Sequence, residues 1–452
     1  MPFTATLTNL ATGTNYYIAF YASNASAQVW SPTVSIVAGA VPPQLNPSNY
    51  AWRAQISFPG YKGQPLANFP ALITLSTSNI TGLAYNQFQS NGSDLRFTDA
   101  SGTTMLPFEI DEWNNSGLST VWVQIPVFNG TNIVWAYWGN TNDTDVPPAS
   151  SNVWVDAGYQ IVYHLKESAL PLADSTGQYP ATKGVAPTRT SGVVGHGESF
   201  NGTSDYISPG PVTLSNQFTV YAWINVNPAA ANEETIWANQ VGGYGSNGFS
   251  WFVDSYQTSD REDHMDSGTG TGGSYVGYDL HNASDTVSSG QWHFLVTTWN
   301  QPGTTVSDFV DGIPMISGTA VAGFALTNQL NLGAFLNPTL FFNGAMDEAR
   351  IQSGLASTNW IMTTYLNMAQ SSFVGYSSVN PQPILSIALF ANGCIFTWPT
   401  NVGTFTLEAT ANLAPPAVWT PVTTPAPVLT NGVWQQMVQP AAGSQFYRLQ
   451  GQ

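Results

Sequence analysis

Charge is scarce in this chain. Asp, Glu, Lys and Arg make up 8% of its 452 residues, and only nine of these are Lys or Arg. The formal net charge of −17 argues against duplex DNA, RNA and anionic membranes as partners, because phosphate recognition needs a cationic surface. Cysteine is nearly absent as well. Cys394 stands alone, so no intrachain disulfide forms, and its setting in a short apolar run reads as a small buried group rather than a nucleophile. No apolar run is long enough to cross a bilayer as a helix, and no basic segment followed by an apolar stretch marks a signal peptide at the N-terminus. Helical periodicity is confined to residues 357–368, where Trp360, Ile361 and Tyr365 share one face.

What the chain has in quantity is hydrophobic and aromatic residues, 43% and 13%, with 41 glycines and 30 prolines. Its length predicts roughly two to four domains. Apolar and polar residues alternate at period two in FNGTSDYI (200–207), FTVYAWINV (218–226), QWHFLVTTWN (291–300), FVDGIP (309–314) and FNGAMDEARI (342–351). Each block is bracketed by Gly, Asn, Pro or Ser. This is the pattern of half-buried antiparallel strands joined by tight turns, so the fold class is all-β. Five segments are expected: 1–40, a Pro-rich linker at 41–50, a β unit over 51–155, the largest over 156–378, and a small β module over 379–452.

Several stretches resemble known families. The F-N-G…D-Y-I run, the W-H-x-x-x-T strand, the V-D-G hairpin and the final D-E-x-R-I strand, in that order, resemble the laminin-G-like, concanavalin A-like jelly rolls. The expected architecture is therefore tandem β-sandwiches with a central concanavalin A-like jelly roll. Residues 1–40 resemble the second half of a fibronectin type III sandwich, with Leu10, Gly13, Thr14 and Tyr16 matching its L-x-x-G-T-x-Y corner. On that likeness the chain begins inside a longer polypeptide, and the half sandwich either reflects truncation or self-associates with strands from a neighbour. The arrangement LRFTDASGTTMLPFEIDEW, then STVWVQIP, then YWGN resembles an uncharacterised domain of bacterial and archaeal surface proteins.

Three places are candidates for chemistry. Glu109-Ile110-Asp111 resembles part of the E-x-D-x-E strand of laminarinase-type hydrolases, in which paired carboxylates cleave a sugar bond. The third acid is missing, since Trp113 and Asn114 stand there, and Glu112 falls on the opposite face of a regular strand. The run SDREDHMDSG (259–268) is the densest ionisable cluster. With the aromatic residues around it, it predicts a ligand site formed by Trp251, Tyr256, Asp263, His264, Tyr275 and Tyr278, since flat rings stack on sugars while acids bond hydroxyls. Metal catalysis is not expected there, because His264 has no second histidine at ligand spacing; His164, His196, His281 and His293 each stand alone. The jelly-roll resemblance implies instead a structural Ca²⁺ held by Asp347 and Asp174.

These readings converge on an extracellular or cell-surface protein that binds a polysaccharide or glycan, or adheres through one. Two alternatives stay open. One is a glycoside hydrolase using Glu109, Asp111 and Asp263; the other is a stalk or fibre subunit completed by strand exchange. Trp113, Trp122, Trp135 and Trp138 bear on the choice, because any of them left exposed would add a glycan or peptide surface.

Overall fold

The computed structural model describes residues 15–18, 21–23, 28–30, 34–37 and 42–451, apart from 242–244, 271–276, 382–384, 391–392, 400–404, 415–416, 431–432 and 440–442. Two compact units are present, residues 1–44 and 45–452. In the first, Asn15–Ile18 pairs antiparallel with Val34–Val37, and Tyr21–Ser23 with Gln28–Trp30. Leu10, Gly13 and Thr14 of the expected tyrosine corner lie outside the described residues.

The second unit is built from antiparallel sheets, as the alternating pattern predicts. Its first sandwich joins a three-stranded sheet, Leu66–Leu75, Ser119–Phe128 and Phe108–Glu112, to a sheet in which Ile133–Trp138 lies between Trp52–Ser57 and Arg96–Thr98. Alternation sends Ala54, Ile56, Val134, Ala136 and Trp138 into one core, while Tyr137 packs with Tyr50 on the other side. Both faces are occupied: Trp122 and Trp138 are buried, Trp135 lies under the Arg53 guanidinium, and Trp113 packs on Tyr85 and Phe88. Trp122 and Trp138 are packing residues, while Trp52, Trp113 and Trp135 are half-buried against their neighbours.

The chain returns to this sandwich after the jelly roll. Gly375–Tyr376 and Asn380–Pro381 both pair with Trp52–Ser57, so the expected boundary at 378 cuts through a sheet. The predicted helix forms over Thr358–Ala369, capped by the Ser357 hydroxyl, and buries Trp360 and Ile361 against Phe69 and its neighbours. Asn367 on this helix treats the free edge of Leu66–Leu75 as a strand would: its side-chain oxygen accepts from the Leu72 N–H at 2.7 Å and its amide donates to the Leu72 carbonyl at 3.0 Å. Replacing Asn367 by Leu leaves both buried backbone groups unpaired. The expected loss is about 2–6 kcal/mol in urea unfolding, from roughly 1–3 kcal/mol for each orphaned group.

The jelly roll has two sheets. One runs Thr188–Ser191, His196–Asn201, Asn343–Ser353, Gln217–Val226, His293–Asn300, Thr305–Val310 and Ile313–Thr319, with Tyr159–Tyr163 also paired to Asn343–Ser353. The other runs Lys183–Val185, Tyr206–Pro211, Gln329–Leu332, Glu234–Ala238, Gly248–Val253, Asp263–Gly268 and Gly277–His281. Their shared core includes Phe218, Ala222, Ile236, Phe249, Trp251 and Met265. The outer face of the first sheet is not free, since Tyr159, Tyr221, Trp223 and Phe294 belong to the core of the preceding sandwich and its helix. The outer face of the second sheet is where the site described next lies. Residues 385–451 form a small two-sheet module around Cys394, Phe396, Trp398 and Leu407, with the Cys394 thiol buried as expected.

Candidate functional site

The Glu109 motif is closed off. Trp154 Nε1 and Ser175 Oγ donate to its carboxylate at 2.6 and 2.7 Å, with His164 Nε2 3.4 Å away. Asp111 accepts from Lys166 Nζ at 2.8 Å and from Thr120 Oγ1 at 3.1 Å. A bulge between Ile110 and Glu112 adds a residue to the strand, so Glu112 is turned to the same neighbour and meets His196 Nδ1 at 2.7 Å. The expectation that Glu112 faces away assumed an unbroken pleat and is corrected by that bulge. His164 Nδ1 lies 2.9 Å from Glu348, which also pairs with Arg350. Arg350 is itself held between Trp122 and Trp154, 4.4 and 4.7 Å from the ring centres.

Three carboxylates (Glu109, Asp111, Glu348) thus meet three cations (His164, Lys166, Arg350) where the first sandwich packs on the jelly roll. Burial would discharge His164, but Asp111, Glu348 and Glu109 hold its proton on, well above the usual imidazole range. Burial would raise Glu348 too; Arg350 and His164 outweigh it and hold the carboxyl at about 2. Glu109 is likewise carried below its ordinary value, against burial, by His164 and its hydrogen bonds. A general acid needs the opposite shift; of the three carboxyls only Asp111 has it, raised by burial against the pull of His164 and Lys166, and Asp111 is itself buried and bonded to Lys166. This cluster is a clasp between sandwiches.

The two carboxylates implied as calcium ligands are engaged by different parts of the backbone. Asp174 spends its oxygens on the N–H groups of Val162, Thr176, Gln178 and Tyr179 at 2.8–3.1 Å and on the Thr176 hydroxyl at 2.6 Å. Asp347 Oδ2 accepts from Val193 and Val194 N–H at 2.7 and 2.8 Å. The two carboxylates brace different turns: the Asp174 oxygens are ringed by donors, whereas Asp347 Oδ1 is buried without a hydrogen-bond partner.

The cluster at 259–268 divides by strand alternation. Asp263 and Met265 point into the jelly-roll core, and Trp251 is fully buried beside them, so neither Asp263 nor Trp251 reaches a ligand. His264 and Asp266 face outward. Register sets Phe252, His264 and His281 in one row across three strands, their rings stacked at 4.9 Å centroid spacing. Ser250, Asp266 and Asp279 form the adjacent row. The pairing of His264 with His281 overturns the expectation that His264 lacks a second histidine: seventeen positions apart in sequence, they are direct cross-strand partners.

Side chains around this row are held in place. His264 Nδ1 lies 3.1 Å from Asp279, and its Nε2 is 3.3 Å from Ser255 Oγ and 3.5 Å from Glu262 Oε2. Glu262 Oε2 also lies 2.7 Å from His281 Nδ1, while its other oxygen accepts from Ser284 Oγ at 2.6 Å. The loop carrying Ser255 and Glu262 bends through three left-handed residues, Asp254, Gln257 and Arg261, and an Asp254–Arg261 ion pair closes it. Such backbone strain persists only where surrounding contacts fix it. Burial, then the Asp279 and Glu233 carboxylates, push Asp266 up to about 9; burial raises Glu233 to about 7. Exposure increases toward the sheet edge, from 5% for the His264 side chain to 35% for Asp279 and 49% for His281. Tyr256 is exposed in the adjoining loop; Tyr278 is exposed as well but alternates to the other face with Leu280, and Tyr275 lies outside the described residues.

Residues 201–362 match the family model described as the concanavalin A-like lectin/glucanases superfamily, and residues 91–155 match a domain of unknown function, DUF2341. The resemblance read from the strand motifs is thereby shown for both regions. Solved structures similar to the chain include domain 4 of AbnA, an extracellular arabinanase from Geobacillus stearothermophilus, in complex with arabinotriose: 20% identity, 47% of this chain and 98% of that one, TM-score 0.36. Others are the CBM40 of a Ruminococcus gnavus sialidase (13% identity, 33% and 82% covered, TM-score 0.28) and the botulinum neurotoxin serotype D binding domain (12%, 64% and 80%, TM-score 0.36). No curated protein matches the chain.

Proposed function

We propose, for a chain carrying a concanavalin A-like domain over residues 201–362, that it is a carbohydrate-binding or adhesive segment of an extracellular protein, and that it meets its glycan on the outward face of the Gly248–Val253, Asp263–Gly268 and Gly277–His281 strands. The observation that carries this is the edge of that face, where the part-exposed Asp279 and His281 stand over the buried His264 and Asp266 and the exposed Tyr256 ring lies in the adjoining loop. Acids accept from sugar hydroxyls, and flat rings cover the C–H faces of pyranoses. The opposite sheet is covered by the neighbouring sandwich, and on this sheet the accessible part is the edge strand Gly277–His281 with the loop that carries Tyr256.

Glycan-array screening followed by calorimetry tests the reading. A neutral or weakly charged polysaccharide is expected to bind, and Tyr256→Ala to weaken it roughly 3–10-fold, the worth of about 0.5–1.5 kcal/mol for one aromatic contact. Absence of any array hit, or binding indifferent to both Tyr256→Ala and Asp279→Ala, would count against it. In the hydrolase alternative Asp111 and Asp263 are buried and Glu109 is tied to Trp154, Ser175 and His164; what remains is the part-exposed Asp279 with the buried Asp266 beneath it, whose proton is held as an acid's must be. Reducing-sugar release from the bound polysaccharide, abolished by Asp266→Asn, would favour that second reading.

A further inference from the structure

We infer that Glu262, His264 and His281 form a binding site for a divalent transition metal of the zinc class. The three side chains bring one carboxylate oxygen and two imidazole nitrogens within 4.8 Å of one another. Around a tetrahedral zinc, donors at about 2.0–2.2 Å from the ion stand roughly 3.3 Å apart. Glu262 Oε2 is already 3.5 Å from His264 Nε2 and 2.7 Å from His281 Nδ1.

The surroundings match what a metal site requires beyond its ligands. Metal-bound imidazoles donate their second nitrogen to a carboxylate, which fixes the tautomer and strengthens the ligand. Asp279 sits 3.1 Å from His264 Nδ1 and leaves Nε2 as the lone-pair nitrogen. Ser284 holds the far oxygen of Glu262 and aims the near one at both rings. The Ser255 hydroxyl, 3.3 Å from His264 Nε2, is placed to receive a metal-bound water. Because the two rings are stacked, bringing both lone pairs onto one ion turns the His281 ring. Its strand is the last in the sheet and the side chain is half exposed, so it has room to turn. Two imidazoles and one carboxylate favour zinc or a neighbouring first-row ion over calcium, which takes oxygen ligands. Three protein ligands leave a coordination position open toward the sheet edge.

Metal binding is read with no glycan present, so it stands or falls apart from the proposed function. The full chain, stripped with chelator and titrated calorimetrically with zinc chloride, is expected to bind about one equivalent, with no comparable heat from calcium chloride. Cobalt(II) in place of zinc should give the visible bands of a low-coordinate nitrogen-and-oxygen site. His281→Ala, at an exposed edge where loss of the ring leaves the core intact, should weaken zinc binding about 100-fold or more. Asp279→Asn should weaken it about 10–100-fold by loosening His264 alone. No zinc binding by the full chain, or equal binding by folded His281→Ala, would overturn the assignment.

Discussion

Replacing Arg350 by alanine is expected to cost about 3–5 kcal/mol of stability, because it leaves Glu348 charged and buried without its principal partner. The upper part of that range is expected, since the guanidinium also fills the space between Trp122 and Trp154. Glu348 is held in the left-handed region at φ 52°, where a bulge opposite Tyr221 and Trp223 swings it out of the sheet toward His164. A non-glycine residue there is strained, so the position is kept by the ion pairs it makes. Substituting both partners, Glu348→Met with Arg350→Met, removes the desolvated pair together and should recover most of the loss. Urea unfolding of the three proteins separates a clasp, in which the double variant is milder than Arg350→Ala, from simple overpacking, in which it is worse. The clasp has a pH signature. Glu348, lowered in the folded state, contributes above its unfolded value of 4.5 and loses that contribution as pH falls toward 2. His164, raised, contributes fully below 6.5 and is lost as pH climbs through its folded value.

The second large effect has the opposite sign. Asp263→Asn is expected to stabilise the protein by roughly 2–3 kcal/mol at pH 8 and to change little at pH 4. Asp263 and Asp308 are both fully buried in the jelly-roll core. Burial and the Asp308 carboxyl raise Asp263 well above the usual range, and burial brings Asp308 to about 6 despite hydrogen bonds from Asp263 and Asn282. At this pair the folded state therefore holds more protons than the unfolded one above about pH 4, and the pair's contribution to stability falls as pH rises through the raised values. An asparagine supplies a permanent donor to Asp308 and removes that dependence. A pH series of unfolding free energies checks this: the wild-type curve should slope down between pH 5 and 8 while the variant stays flatter, and parallel curves would exclude the shared proton.

The strands of both sandwiches were readable because a half-buried sheet writes its pleat into the sequence, as in Phe218, Val220 and Ala222, which all enter the core. The helix at Thr358–Ala369 was readable for the same reason at a different period. Three features were not. Gly248–Val253 is buried on both faces, so alternation gives no sign that Trp251 faces the core and Phe252 the outside. Glu109, Asp111 and Glu112 turn to one neighbour only through a bulge, which shifts side-chain direction with no mark in composition. The His264–His281 pairing depends on the register of a hairpin whose Gly-rich connection has no unique length rule. The return of residues 375–381 to the first sandwich is a long-range pairing, which local pattern does not encode.

The account rests on the outward face of the seven-stranded sheet, rather than the Glu109 clasp, being the surface that meets other molecules. Amide hydrogen exchange with and without a bound polysaccharide tests this most directly. Added protection is predicted along residues 248–268 and 277–281, with residues 108–112 and 164–166 unchanged; protection confined to the clasp, or to the far module, would contradict it.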